Sequence, residues 1–579
     1  MGLNYALLNG ASGLRTTQTA INTVSHNLAN SETSGYSRQR VSMSAQPGEY
    51  GAASRGGRGA TVSKISRVSD RFVTEQVRRD RNLLGFFTSR ENALYALDSM
   101  YSEEIAPSIS AGLDGFFNSA RDLTRDPAGR GARTQLIGGA NNMVEVFRRT
   151  QADLRRLQID LDKDVTGRVG EINDLMEYIA QLNTEVVAAG TSGMDFEDKR
   201  DEAIARLTEL IPITTVHQDS GSVHIQLNGV GTIVQDGLHA TMNALPDPAE
   251  RRNVRVEFTG IGGIDTRDIT GKIDRGELGG LLTLRDDTVE GLLDDINTLA
   301  IEFAEAVNAQ HEAGFDLNGN RGQAFFTFDD PTGDAAANIQ VNSAIVDDTG
   351  LIAVSSSALL DPVTGAVVGG VPGDAHNGIA LSNLQYMTRS VIAGVAAGST
   401  YTGSVEVGGV YNASLGSTAL SITAINAGAP GAATFRIDGL PASVLAPGSE
   451  DNAGAGYTLA ELNAILDPTG VNLNMQDNSS AFSAGDVINV DLFSRTSTFN
   501  RKIAETIQHV GEVAQTNYEQ TEIHVTRLTA SEKLKESVVG VSIDEELLDL
   551  TRFEKQFAAN GKVIQTVNDL MDSVLALVG

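Results

Sequence analysis

The 579-residue chain has no cysteine and no tryptophan, and aromatic residues make up only 5% of it. Without cysteine there can be no disulfide, thiolate metal ligand or cysteine nucleophile, and the fold is indifferent to redox compartment. That suits a protein made in a reducing cytoplasm and used outside the cell. Proline is scarce, at 13 residues, and the first forty positions contain none. No run of 18 apolar residues occurs, so no membrane-spanning helix and no membrane insertion are expected. Residues 1–30 have neither the basic start nor the continuous apolar run of a cleavable signal, so export by the general secretory route is not expected.

Positive charge is also short. Lys and Arg number 44 against 74 Asp and Glu, a formal net charge of −30, which opposes binding to nucleic acid over most of the surface. The imbalance is uneven. Residues 1–90 hold 12 basic against 5 acidic side chains, whereas residues 322–494 hold only Arg389 and Arg436 against 16 acids. The basic residues are scattered and have no aromatic stacking run beside them, so no nucleic-acid partner is expected.

Catalytic signatures are missing as well. The eight histidines form no His-Glu-x-x-His pair, and His217, His224 and His239 fall on or near predicted strands at spacings unlike a zinc site. Asp316-Leu317-Asn318-Gly319-Asn320 starts like a calcium loop, but Arg321 stands at its sixth position and Thr327 at its twelfth, where glycine and a bidentate glutamate are needed. Gly229-Val230-Gly231 lacks the third glycine of a dinucleotide loop, and there is no nucleophile elbow. No enzyme, metal or cofactor is expected.

What is present is heptad periodicity at both ends. Leu7, Leu14, Ile21 and Leu28 recur every seven residues, with Leu3 and Val24 on the neighbouring seam and the small residues Gly10 and Thr17 between them. At the other end Ile543, Leu550, Phe557, Ile564, Met571 and Val578 repeat the spacing, widened by Phe553, Val567 and Val574 on one side and Leu547 and Leu575 on the other. Asp544, Glu545 and Glu546 open that helix, where acids suit the helix dipole. A lone amphipathic helix is marginal in water, so each end needs a partner. Periodicity alone leaves two partners open: the other end, closing a monomeric bundle, or neighbouring copies in an assembly.

Between the ends the pattern predicts a bend after Ala29, and residues 41–70 read as an ordered loop with at most one short strand. A helix is expected from Phe72 to Tyr101. After Asp126-Pro127 comes a very long helix marked by Leu154, Leu161, Val165, Ile172, Ile179 and Val186 and interrupted at Gly167 and Gly170. Alternation at Val223, Ile225, Leu227 and at Val254, Val256, Phe258 predicts a small β element. A helix is expected over 287–311, and helical pattern returns at Phe499. Residues 400–492, rich in Gly, Ala, Ser, Thr and Asn, read as an inserted, surface-exposed β-rich domain. The expected fold is a multidomain α+β protein, with a long α-helical bundle, terminal coiled-coil helices and inserted β-rich domains. The segments are 1–40 with 538–579 (terminal coiled coil), 41–212 with 276–399 and 493–537 (helical bundle core), 213–275 (small β element) and 400–492 (β-rich insertion).

The turn after the first helix carries a resemblance. Asn27-Leu28-Ala29-Asn30, followed by Thr33, Ser34, Gly35 and Tyr36, resembles the N-terminal signature of flagellar rod, hook and hook-associated axial proteins, with Leu28 in place of isoleucine and Ser34 in place of proline. Phe116-Phe117-Asn118-Ser119, Phe196 to Asp201, Val307 to His311 with Gly314, Asp316, Asn318 and Gly319, and Gly373 to Asn377 resemble recurring phrases of the hook-associated protein 1 family. Gly540 to Glu546, with Phe553, Phe557 and Ile564, resembles that family's closing segment, although Glu554 and Asn560-Gly561 depart from its usual glutamine and alanines.

The resemblance implies a non-enzymatic structural part of the bacterial flagellum at the hook–filament junction. It implies a homo-oligomeric ring between the hook protein and the second junction protein, export through the flagellar type III channel without cleavage, and a cytoplasmic export chaperone on the C-terminal segment. On that reading the assembly seam is Leu3, Leu7, Leu14, Ile21, Val24 and Leu28 at one end. At the other, where the chaperone would also bind, it is Ile543, Leu547, Leu550, Phe553, Phe557, Ile564, Val567, Met571 and Val574. The family turn is Asn27, Ala29, Asn30, Thr33, Gly35 and Tyr36. Another axial protein (second junction protein, hook protein or flagellin) is the alternative, and a secreted adhesin or enzyme on flagellin-like ends is a more distant one. With both termini unpartnered before assembly, mobile ends are expected in the isolated chain.

Overall fold

A computed structural model of the chain describes residues 2–33, 35–46, 59–101, 108–190, 193–247, 253–330, 334–361, 367–371, 373–386, 389–396, 399–401, 405–409, 418–440, 456–466, 471–475, 481–494 and 498–578. Ser34 of the turn motif lies outside them.

In chain order come helix α1 (Gly2–Ala29), strands β1 (Gln39–Ala45) and β2 (Ala60–Arg67), and helices α2 (Arg71–Tyr101), α3 (Ile109–Leu123), α4 (Arg130–Ala189) and α5 (Met194–Leu210). Seven strands follow: β3 (Ile213–His217), β4 (Val223–Leu227), β5 (Gly231–Gln235), β6 (Leu238–His239), β7 (Thr241–Pro246), β8 (Val254–Thr259) and β9 (Thr266–Asp268). Helices α6 (Gly276–Thr283) and α7 (Glu290–Ala313) are joined by a π-helical turn, Leu284–Val289. Then come β10 (Phe326–Phe328), α8 (Ala335–Asn338), β11 (Ile339–Val341), α9 (Ser343–Asp347), β12 (Ala358–Leu360), β13 (Val367–Gly370), α10 (His376–Asn383), β14 (Arg389–Val395), β15 (Val405–Gly409), β16 (Thr418–Ala424), β17 (Phe435–Asp438), α11 (Leu459–Leu466), β18 (Val471–Met475), β19 (Val487–Ser494), α12 (Phe499–Val539) and α13 (Ile543–Val578). All strand pairs are antiparallel. The protein is therefore a multidomain α+β fold of long helices and small sheets.

Two expectations are corrected. The expected loop at 41–70 holds two strands, β1 and β2, paired from Gln39–Arg67 to Ala45–Ala60 with a bulge at Ser42/Met43. Val41, Met43 and Ala45 of β1 pair with Ile65, Val62 and Ala60 of β2 on one face while Ser42 and Ser44 lie on the other, a short alternation embedded in a Gly-, Ser- and Arg-rich stretch. Gly167 and Gly170 do not interrupt α4, which runs unbroken for 60 residues. A Cβ at either position would meet no neighbouring atom, so both lie on an unpacked face and cost helix propensity without breaking the helix.

The chain divides into two compact units, one of residues 1–93, 158–287 and 514–579, the other of 94–157 and 288–513. In the first, Ile172, Met176 and Ile179 of α4 are buried, as are Ile204 and Leu207 of α5 and Ile225, Ile233, Val234, Val256 and Phe258 of the strands. Two amides on α4 replace missing strand partners. Asn183 donates to Val223 O (2.9 Å) and Asp236 O (3.0 Å) and accepts from Val223 N (2.9 Å). Asn173 does the same for Met242, at 2.7 and 2.9 Å.

The second unit is built on stacked and edge-on phenylalanines. Phe303 meets Phe116, Phe117, Phe147, Phe326 and Phe499 at centroid distances of 5.2–6.1 Å, and Phe117 stacks on Phe499 at 6.2 Å. Fully buried His311 ties this unit together. Its Nδ1 lies 2.6 Å from Gln323 O, which can only accept, so Nδ1 carries the proton and Nε2 accepts from Ala353 N at 2.9 Å. Burial holds its pKa down to about 4. A distinct apolar cluster inside the same unit gathers Tyr401, Leu420, Ile422, Phe435, Phe482 and Ile488 around the sheet ordered β14-β19-β16-β17. That sheet begins with β14 at Arg389, ahead of residue 400.

Candidate assembly interface

The terminal helices pack on each other within one chain. Asn27, near the end of α1, meets Glu546 at the start of α13, while Gly13 faces Asn560 and Gly10 faces Ile564, so the pair runs antiparallel. The face of α1 turned to α13 carries small residues. A Cβ at Gly10 would lie 2.8 Å from Ile564 Cγ1, and one at Gly13 would lie 2.7 Å from Asn560 Nδ2. Thr17, Ala20, Val24 and Asn27 continue this stripe at heptad spacing, and all are buried. A side chain at either position would displace Ile564 or Asn560 from the contact.

A second side of α1 is covered by the β hairpin. Ser12 Oγ accepts from Ala60 N at 3.2 Å, Gly59 lies against Asn9, and Thr16 and Thr23 on that side are buried. The remaining flank is the leucine heptad. Leu7, Leu14, Ile21 and Leu28 are only half-buried, and on α13 Ile543, Leu547 and Phe557 are 41–47% exposed. The two-helix ribbon is thus closed along one edge and apolar along the other.

A polar cluster locks the base of the ribbon. Buried Asn27 donates to Gln39 O (2.9 Å) and to Glu546 Oε2 (3.0 Å), and accepts from Gln39 N (2.9 Å) and the Tyr36 hydroxyl (2.8 Å). Glu546, with a side chain only 1% exposed, also receives Arg38 Nε at 2.7 Å, while Arg38 Nη1 reaches Glu545 at 2.6 Å. Burial tends to lower the Arg38 pKa, but Glu545 and Glu546 outweigh it and raise it overall. Burial first, then Asp198, Asp195 and Glu546, pushes the Tyr36 phenol up, so it stays a donor. The turn continues into a second cluster: Ser37 N faces Asp198 (3.4 Å), and Arg67 binds Asp198 (2.6 Å), Asp201 (2.5 Å) and Glu197 (3.1 Å). Gly35 has φ +78°, a left-handed conformation that favours glycine there.

The seam expected from the sequence divides in the structure. Val24 and Val567 are buried in the pair, Leu3, Leu550, Phe553, Ile564 and Met571 are half-buried, and Ile543, Leu547, Phe557 and Val574 are exposed. Of the turn motif, Asn27 is buried, Asn30 and Tyr36 are half-buried, and Ala29, Thr33 and Gly35 face solvent. The expectation of unpartnered ends is corrected in part, since each terminal helix covers one face of the other.

Sequence reasoning placed Gly10 and Thr17 between Leu3 and Val24 on the neighbouring seam but missed Gly13 and Ala20, which complete the small-residue stripe and which a search for apolar residues passes over. It also missed Arg38 with Glu546, 508 positions apart. The one available signal was an acid at heptad spacing from Phe553, where an apolar residue belongs. Elsewhere, Asp316 Oδ1 accepts from Asn318 N (2.9 Å) and Asn320 N (2.8 Å), closing its loop on itself. Among the described residues no group of three His, Cys, Asp or Glu side chains could hold a metal ion, and no helix is long and apolar enough to cross a membrane.

Comparison with known proteins gives matches along the whole chain. The model of the flagellar hook-associated protein FlgK helical domain matches residues 94–326. The flagellar basal body rod protein model matches residues 7–36, and the C-terminal model of the basal body rod FlgEFG proteins matches 537–577. Flagellar hook-associated protein 1 of Salmonella typhimurium strain LT2 is 27% identical over 583 residues, covering 98% of this chain and 99% of the relative. The Escherichia coli K12 protein of that name is 27% identical over 598 residues with the same coverage, and the Bacillus subtilis one 24% identical over 58% of this chain and 73% of its own length. The fold is shared with the flagellar hook junction protein FlgK of Burkholderia pseudomallei, at TM-score 0.51 and 17% identity, over 80% of this chain and all of that structure. The chain belongs to the flagellar hook-associated protein 1 family, the structural proteins of the junction between hook and filament.

Proposed function

We propose that copies of this chain join through the open leucine flank of the α1–α13 ribbon, forming a homo-oligomeric ring between the hook protein and the second junction protein. The observation that carries the reading is the asymmetry of the ribbon: a hairpin seals one edge, while Leu7, Leu14, Ile21, Leu28, Ile543, Leu547 and Phe557 remain half-covered or exposed along the other. Full burial of such a side chain contributes about 1.5–3 kcal/mol, so covering the exposed part of each adds roughly 1 kcal/mol, and a row of them suffices for assembly. The same uncovered flank in the cytoplasm is the natural site for an export chaperone, and passage to the cell exterior is through the flagellar export channel without cleavage. The acidic β-rich segment 400–492 would then face outward, where repulsion between like charges keeps assembled structures from sticking side by side.

Phe557→Asp tests this. The side chain is 41% exposed, so the lone chain should keep its fold. In cells lacking the wild-type gene, the variant should leave hooks in place and release filaments into the medium. Filaments attached in wild-type number would rule the flank out as the assembly surface.

A further inference from the structure

Two Asn-Gly dipeptides lie at one level of the α1–α13 pair. Asn9-Gly10 of α1 and Asn560-Gly561 of α13 meet where Gly10 receives Ile564 and Gly13 receives the Asn560 carboxamide. Packing explains Gly10. It does not explain Gly561, where a Cβ would meet nothing within 4 Å, although glycine inside a helix costs about 1 kcal/mol relative to alanine. Asn9 Oδ1 is buried there without a hydrogen-bond partner. Gly561 therefore loosens α13 at the point where Asn560 enters the seam.

We propose that Asn560-Gly561 is a spontaneous deamidation site which pairing of α1 with α13 silences. In an opened segment the Gly561 main-chain nitrogen, unshielded by any Cβ, loses its proton and attacks Asn560 Cγ. A five-membered succinimide closes as the side-chain nitrogen departs as ammonia. Water then opens the ring at either carbonyl, giving aspartate or isoaspartate, so that asparagine and water become the acid and ammonia. In the paired helix this path is blocked. The Gly561 N–H is committed to the carbonyl one turn back, and the carboxamide is held against Gly13.

The products would weaken the seam. Aspartate places a charge against Gly13 in a position half-shielded from water. Isoaspartate adds a methylene to the main chain and rotates Ile564, Val567 and Met571 away from α1. The inference depends on the pairing alone and not on the junction role, so the two can fail separately.

Peptide mapping by mass spectrometry during incubation of the full-length protein in mildly alkaline buffer tests it. Asn228-Gly229, exposed in the β4–β5 turn, serves as the internal reference. In denaturant both sites should convert. In the folded chain Asn560 should convert about tenfold or more slowly than in denaturant, the factor set when local opening costs at least ~1.4 kcal/mol. Gly13→Val, which cannot accommodate Asn560, should restore conversion at Asn560 while leaving Asn228 unchanged. Gly561→Ala should abolish rapid conversion even in denaturant. Equal Asn560 rates in folded and denatured wild-type protein would overturn the proposal, as would a denatured chain in which Asn228 converts and Asn560 does not.

Discussion

Glu546 illustrates what a single position does in this molecule. Its carboxylate is buried and accepts from Asn27 and Arg38, so it joins the first helix, the turn after it and the last helix. Glu546→Ala removes one of the two acceptors of the Asn27 amide, leaving only Gln39 O, and leaves Arg38 with only Glu545 and Asp549, which are partly exposed. A loss of about 1–3 kcal/mol is expected, the range for hydrogen bonds to a charged group. Proteolysis should reach the two termini of this variant sooner than those of the wild type; unchanged protection would mean the cluster does not hold the ribbon. His311 makes a prediction of opposite character. Its folded pKa, about 4, lies below the ordinary value of 6.5, so the unfolded state binds the extra proton. The stabilisation is fully present above pH ~6.5 and is lost as pH falls toward 4, by on the order of 3 kcal/mol. The protection factor of the Ala353 amide, taken against its intrinsic exchange rate at each pH, should fall across that window, and His311→Gln should flatten the dependence. The role of His311 left no trace in the sequence and that of Glu546 only an acid at a heptad position, because both depend on partners that only the fold brings near.

At the scale of elements, the sequence carried the long helices well. The heptads of α1 and α13 and the threes-and-fours of α4 follow from burying one stripe, and Asn30 with Gly35 marks the turn after Ala29. The β1–β2 hairpin was passed over although Val41, Met43 and Ala45 alternate with serines, because that alternation is short and set in a Gly-, Ser- and Arg-rich stretch. The face that pairs α1 with α13 is the neighbouring column of Gly10, Thr17 and Val24 rather than the leucine column: leucines draw attention to the flank, whereas the contact is made by glycine, threonine and alanine, whose contribution is the closeness they allow. The link between α4 and the strands depends on polar side chains within an apolar pattern. Asn183→Leu would leave the Val223 N–H and C=O and the Asp236 C=O unsatisfied, at about 1–3 kcal/mol. Urea denaturation should show that loss, and the Val223 amide should exchange faster; an unchanged midpoint would mean water replaces the asparagine at no cost.

For the whole molecule, net charge sets the conditions of assembly. Each copy carries −30, so bringing copies together is opposed by repulsion that salt screens within about 10 Å at 0.1 M. Association of the purified protein, followed by light scattering, should therefore strengthen from low to moderate salt; weakening would mean that ion pairs rather than the leucine flank join the copies. The central claim is that this flank is open in the free chain and covered in the junction. Since the chain contains no cysteine, Phe557→Cys provides a single thiol on the flank, with Leu238→Cys, 61% exposed on β6, as the reference. Maleimide should label both thiols in purified protein, and in junctions isolated from cells it should label the β6 thiol but not the one at 557. Equal labelling of the thiol at 557 in free and assembled protein would contradict the account.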